Sequence, residues 1–282
     1  MFRDVLLAVD FDRTLTAKDA TIPERNIEAI RYFMENGGAF TVNTGRSMPM
    51  YRSKLDLVPV NAPLLLYNGS AAYDKTTGQL VNACPIDLDP KALIDDLQTR
   101  FPQLNIELQG VEAHYMFCKD AGWEAYCENN DCAWLYGDLE GIEQPFLKLT
   151  LNGEFRDNTV ISMCSGYDWE IEMMDQAAEY IQEKYGRQID SFRGCARILD
   201  LHAKGCSKIR SARKLQKQLG RKLLVCVGDG ENDLNMLYGA DYAFCPSDGV
   251  IADRFPNVCE CGKGAVAQVI YEKIPEILKI QP

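Results

Sequence analysis

Val5-Leu6-Leu7-Ala8-Val9 is an apolar run of strand length that breaks off at Asp10, and Asp12 and Thr14 follow at alternate positions. A continuous apolar run marks a strand buried on both faces, as in a parallel sheet covered by helices. In such sheets the chemistry sits just beyond the carboxyl ends of the strands. Two carboxylates at one strand end repel each other unless a cation or a proton offsets them. A divalent metal and a phosphoryl group would suit the pair. A solvated turn after a core strand also uses Asp and Thr, so this stretch alone leaves both readings open.

The next segments repeat the pattern. Thr21-Ile22-Pro23-Glu24 predicts a helix start, with Thr21 as cap, Glu24 completing a capping box and Pro23 in the first turn. Ile27, Ile30, Phe33 and Met34 form its apolar stripe, and Gly37-Gly38 end it. Ala39 to Asn43 is a second strand, stopping at Thr44-Gly45-Arg46-Ser47; a helix begins near Pro49; Leu64 to Tyr67 is a third strand, ending at Asn68-Gly69. This alternation predicts an α/β fold with a doubly wound, Rossmann-like parallel sheet.

From about Thr76 the texture changes. Asp89-Pro90 opens a helix with Leu93, Ile94, Leu97 and Phe101 on one face. Strand-like segments follow at Asn105 to Cys118, Pro145 to Asn152 and Gln188 to His202, with helical Trp123 to Asn130 and Asp168 to Tyr185 between them. Such a mixture predicts an inserted α+β domain over residues 83–203, leaving 1–82 and 204–282 as the core. The α/β rhythm then returns: a helix from Ser207 to Leu219, the strand Leu223 to Val227, and Gly228-Asp229-Gly230-Glu231-Asn232-Asp233 at its end. A helix to Tyr238, a short strand from Tyr242 to Cys245 and a terminal helix from Lys263 to Leu278 complete the chain.

Composition narrows the partners. Against 30 Lys+Arg stand 41 Asp+Glu, a net charge of −11 that disfavours nucleic acid and anionic membrane surfaces. No apolar run approaches the ~20 residues that span a bilayer, and Met1-Phe2-Arg3-Asp4 lacks a signal-peptide pattern. A cytoplasmic protein, monomeric or a small homo-oligomer, is expected. The 11 cysteines, among them Cys84, Cys118, Cys164 and Cys226, are scattered among apolar neighbours and contain no C-x-x-C. They read as small core residues, with no zinc or disulfide framework expected. His114 and His202 are the only histidines, and His202 reads as structural.

Three strands therefore end in polar sequence, at Asp10 to Thr14, Thr44 to Arg46, and Asp229 to Asp233, and a doubly wound sheet gathers such ends along one edge. Lys208 adds an independent sign. It stands in the first turn of a helix, where the macrodipole disfavours a cation, and a locally wrong residue at an element end is expected where function overrides propensity.

Asp10-x-Asp12-x-Thr14, Thr44-Gly45-Arg46, Lys208 and Gly228-Asp229-x-x-Asn232-Asp233 resemble the four motifs of the haloacid dehalogenase superfamily. Asn68-Gly69, Lys204-Gly205-Cys206-Ser207-Lys208 and the inserted domain, the family's large α+β cap, are similar to its Cof-type sugar-phosphate phosphatases. The resemblance implies a phosphatase in which Asp10 is the nucleophile and Asp12 the general acid and base. It further implies that Thr44, the amide of Gly45, the main chain of Phe11, Asn232 and Lys208 hold the phosphoryl group. From its place beside a motif at a strand end, Arg46 is a candidate for the substrate or for a structural salt bridge, and Asn68 is a further substrate candidate. Mg²⁺ would bind Asp10, the carbonyl of Asp12 and Asp229, with Asp233 orienting them. A phosphomutase of the same superfamily and a silent phosphate-binding module remain alternatives.

The sequence departs from the family pattern at two places. Arg13 stands where Gly usually precedes the Thr, and either reaches the substrate or turns outward, the plainer expectation. Cys245-Pro246-Ser247-Asp248 replaces a Met-Gly-Asn-Ala pattern and bears on substrate choice. In the inserted domain His114, Tyr115, Trp123, Tyr126, Trp134 and Tyr136 are candidates for stacking on a sugar, with a place in the core as the plainer reading.

Overall fold

The structure is a computed structural model that describes residues 1–137, 139–140, 145–153 and 166–279. Cys164 lies outside the described residues. In chain order the elements are β1 (Val5–Val9), α1 (Glu24–Glu35), β2 (Ala39–Val42), α2 (Met48–Tyr51), β3 (Leu64–Leu66), β4 (Ala71–Asp74), β5 (Gln79–Val81), α3 (Pro90–Arg100), β6 (Asn105–Gln109), β7 (His114–Met116), α4 (Ala121–Asn129), β8 (Trp134–Tyr136), β9 (Lys148–Asn152), α5 (Asp168–Tyr185), β10 (Ile189–Cys195), β11 (Ile198–Ala203), α6 (Lys208–Gln218), β12 (Leu223–Val227), α7 (Leu234–Tyr238), β13 (Tyr242–Pro246), β14 (Asn257–Val258), α8 (Ala265–Gln268) and α9 (Ile274–Leu278). They divide into two compact units: residues 1–44, 56–81 and 207–282, and residues 45–55 and 82–206.

The first unit is built on a five-stranded sheet in the order β14-β13-β12-β1-β2, parallel throughout. All five residues of β1 are buried, as its unbroken apolar run requires. Leu6 and Ala8 of β1 join Leu224 and Cys226 of β12 and Ala212 and Leu215 of α6 in one apolar cluster. The third strand departs from expectation. β3 pairs antiparallel with β4, which pairs with β5, and its tie to the strands before it is a parallel bridge between Asn43 and Leu65. The chain reverses at Asn68-Gly69, where φ is +52° and +94°. The start of α1 also differs. Thr21 bonds Asp19 at 2.6 Å rather than capping the helix, and Pro23 takes the cap position with no side-chain bond.

The second unit holds a six-stranded sheet in the order β10-β11-β9-β6-β7-β8, antiparallel except for the β7–β8 pair. Its central strands alternate with period two. Ile106, Leu108, Leu149, Leu151, Leu199 and Leu201 pack with Leu97 of α3 and Ala177 and Ile181 of α5. The intervening residues Glu107, Gln109, Lys148, Thr150, Asn152, Asp200 and His202 are buried as well. Buried polar groups of this kind need partners, and Thr150 donates to Asp200 at 2.9 Å while Gln109 donates to Glu107 at 3.2 Å. Trp123 is fully buried and Tyr115 nearly so, both core residues; Tyr136 is exposed.

Candidate active site

The tips of β1 and β12 converge because the two strands are neighbours in register, and the Asp10 amide continues the ladder to the Val227 carbonyl at 2.9 Å. Beyond Asp10 the chain makes a tight turn over Phe11–Leu15, closed by the Thr16 amide on the Phe11 carbonyl at 3.0 Å. Asp10 is buried with 6% of its surface exposed, Phe11 is buried and Asp12 half-buried.

Lys208 opens α6, whose cap Ser207 accepts from the Arg210 amide at 3.3 Å. Its ammonium is fully buried and donates to Asp10 at 2.6 Å and to Asp233 at 2.7 Å. The Lys208 carbonyl accepts from the Asn43 side-chain amide at 2.9 Å, which fixes the helix start against the end of β2. Gly69 lies so close to the Ser207 backbone that a Cβ there would collide with the Ser207 carbonyl, so glycine permits α6 to begin here. The macrodipole mismatch at Lys208 is thus offset by two carboxylates.

Asp233 stands at the end of the turn after β12. One of its oxygens accepts from Lys208, and the other from the Asp229 and Gly230 amides at 3.0 and 3.1 Å. A Cβ on Gly228 would come within 2.5 Å of the Asp233 Cγ, so the glycine admits the close approach. Asp229 accepts from the Thr14 hydroxyl at 3.0 Å. Of the two readings of Arg13, the outward turn is not the one seen. Its Nε lies 3.9 Å from an Asp229 oxygen, and its backbone has φ of +58°, the left-handed region in which glycine is at ease.

Asp10, Asp229 and Asp233 each present an oxygen within 4.8 Å of the others. Burial drives the Asp10 carboxyl well above the usual range; Lys208 opposes this and the neighbouring aspartates add to it. Burial and Asp233 likewise push Asp229 up to about 7, against Arg13 and Thr14. Such an excess of buried negative charge is what a cation relieves. The donors are hard oxygens that fit a small divalent ion. Both oxygens of Asp233 are bonded, one to the Lys208 ammonium and the other to two backbone amides.

Thr44 is buried at the tip of β2, its amide bonded to the Leu65 carbonyl at 2.9 Å, and its carbonyl accepts from the Asn68 amide at 3.0 Å. Asn232 is half-buried on the turn between β12 and α7. Gly45 and Arg46 group with the second unit: the Gly45 carbonyl accepts from Lys148 at 2.9 Å, and Arg46 donates to Asn130 at 3.0 Å. Asp248, in the unusual loop after β13, is engaged by the Cys261 amide at 2.9 Å and by Lys18 at 3.2 Å. Asn43 and Thr14 are supporting residues whose roles the sequence does not specify. Thr14 is visible within its motif, whereas Asn43 looks like the last residue of an ordinary strand.

Residues 7–250 match the model of a family described as haloacid dehalogenase-like hydrolase. The chain belongs to the haloacid dehalogenase-like hydrolases. It is 23% identical, over 258 residues and 88% of each chain, to the 5-amino-6-(5-phospho-D-ribitylamino)uracil phosphatase YitU of Bacillus subtilis (strain 168). Among solved structures it resembles SMU.1108c of Streptococcus mutans UA159 with a TM-score of 0.78 at 18% identity, covering 97% of this chain and 99% of that one. It also resembles the HAD subclass IIB sugar phosphatase BT4131, with a TM-score of 0.71 at 14% identity and coverage of 97% and 98%.

Proposed function

We propose that this chain is a Mg²⁺-dependent phosphatase that hydrolyses a small phosphorylated metabolite, a sugar phosphate, through an aspartyl-phosphate on Asp10. The observation that carries the reading is the buried Lys208 ammonium held between Asp10 and Asp233. It favours the anionic form of the buried nucleophile against the effect of burial and presents positive charge where a phosphoryl group would sit.

An Asp10 oxygen forms a bond to phosphorus as the ester oxygen leaves, and Asp12 gives its proton to that oxygen. Water then attacks the phosphorus, Asp12 takes the water's proton, and the bond to Asp10 breaks to release phosphate. Thr44, the Gly45 amide, the Phe11 main chain and Asn232 hold the phosphoryl oxygens, and Lys208 offsets their charge. Asp10, the Asp12 carbonyl and Asp229 would hold the metal, with Asp233 fixing Lys208 and the Asp229 turn. Mg²⁺ bound there supplies further positive charge against the transferred group. In this reading residues 1–82 and 204–282 perform the transfer, while the cap at 83–203, with Arg46 and Asn68, selects the substrate.

The test is a panel of sugar phosphates incubated with the protein and Mg²⁺. Phosphate release that needs the cation and is lost in Asp10→Asn is expected. No release from any member, or undiminished release by the variant, counts against the proposal. Conversion of a hexose 1-phosphate to the 6-phosphate without phosphate release would make it a mutase instead.

A further inference from the structure

The second unit contains a cluster that the phosphatase reading does not use. Cys127 lies in the last turn of α4, Cys132 follows just before β8, and His114 opens β7. The segment between the cysteines folds back on itself. The Cys132 amide reaches the Cys127 carbonyl at 2.9 Å, and Asp131 takes φ of +52° to close the loop. The His114 amide bonds the Ala133 carbonyl at 2.9 Å, which brings the imidazole to the same place. One donor atom from each of His114, Cys127 and Cys132 lies within 4.8 Å of the other two, and all three residues are buried.

We propose that His114, Cys127 and Cys132 form a binding site for a thiophilic divalent cation, Zn²⁺ by its chemistry. Sulfur and imidazole donors select zinc over magnesium or calcium. Two thiolates and a neutral imidazole balance a dication, as a buried ion requires. The carbonyls at the end of α4 add the negative end of a helix dipole. Glu107 is ion-paired with the imidazole ring, and a carboxylate on the ring orients metal-bound histidines in this way. On binding, the protons of both thiols and any proton on the ligating imidazole nitrogen pass to solvent and three protein–metal bonds form, with no change of oxidation state.

The ion would fasten α4 and β8 to β7. Ser47 Oγ lies 2.5 Å from Nε2 of His114, the nitrogen that Glu107 leaves for the ion, and would yield that place on binding. The spacing Cys-x4-Cys with a histidine thirteen residues upstream of the first cysteine has no sequence signature of its own, and so the cysteines read as core.

The decisive experiment titrates chelator-treated, reduced protein with Co²⁺ under anaerobic conditions. A sulfur-to-cobalt charge-transfer absorption that saturates at one equivalent and is abolished by one equivalent of Zn²⁺ is expected. Cys132→Ser and Cys127→Ser should lose the band, His114→Gln should weaken binding at least tenfold, and Asp229→Asn should keep the band, since the carboxylate cluster contains no sulfur. Should a cysteine variant fail to fold, alkylation of the wild type read by mass spectrometry decides the matter instead: Zn²⁺ should slow modification of Cys127 and Cys132 at least tenfold. Absence of the cobalt band, its persistence in Cys132→Ser, zinc-independent alkylation, or a Cys127–Cys132 disulfide in the reduced preparation would overturn the proposal.

Discussion

Replacing Lys208 by Met removes the cation at the centre of the proposed site while preserving most of its volume. The ammonium is fully buried and makes two charge-assisted hydrogen bonds, at 2.6 and 2.7 Å. Each such bond contributes about 1.5–3 kcal/mol, and breaking a buried pair costs roughly 3–5 kcal/mol. Asp10 and Asp229 already have raised pKa values, so they take up protons readily once the ammonium is gone. This relief holds the expected loss to about 3 kcal/mol in metal-free protein, the low end of the buried-pair range. A carboxylate whose pKa is raised on folding costs most stability above that pKa and progressively less on acidification toward its unfolded value. The loss should therefore be greatest near about pH 8 and shrink toward about pH 5. Hydrogen exchange at the β1 and β12 amides reads it directly, and about 3 kcal/mol corresponds to roughly hundredfold faster exchange. Phosphatase turnover should fall by roughly 10²–10³, as when a preorganised charge is removed from a transition state. Exchange accelerated less than tenfold, together with turnover within threefold of wild type, would refute the role given to Lys208.

Gly228→Ala places a methyl against Asp233 at 2.5 Å, and overpacking of this kind costs about 1–3 kcal/mol. Turnover should fall with it; an unchanged melting temperature would show that the turn has room. Arg13→Gly should relieve about 1 kcal/mol of left-handed strain, whereas Arg13→Ala loses the Asp229 contact and keeps the strain, so the glycine variant should melt higher of the two; equal melting temperatures would contradict this. His202 is pushed down to about 4 by burial, so its unfolded form binds a proton that the folded form refuses. Stability is full above the unfolded value near 6.5 and falls as pH drops toward 4, by up to about 3 kcal/mol. Exchange at the β9 and β11 amides should show that slope and His202→Gln should flatten it; parallel slopes would count against it.

What can be read from the sequence is whatever shows in local pattern. The apolar run of β1, its abrupt end at Asp10 and the same ending after β12 follow from strand period and burial. Lys208 stands out because it contradicts the dipole of its own helix, and the structure shows the two carboxylates that justify it. Thr21 has the pattern of a cap but does not act as one, because Asp19 competes for its hydroxyl. The antiparallel pairing of β3 with β4 follows from a tight reversal at Asn68-Gly69 and is added to the parallel bridge between Asn43 and Leu65. The inward turn of Arg13 depends on Asp229, more than two hundred residues away. His114, Cys127 and Cys132 come together through sheet pairing and a backbone loop rather than through a recognisable spacing.

The covalent role proposed for Asp10 is tested most directly by acid-quenching the protein during incubation with a sugar phosphate and Mg²⁺ and mapping the trapped phosphoryl group by mass spectrometry. One phosphoryl group on the peptide carrying Asp10, absent from Asp10→Asn, is the expected result. A phosphoryl group on another residue, or turnover by Asp10→Asn at the wild-type rate, would contradict the account.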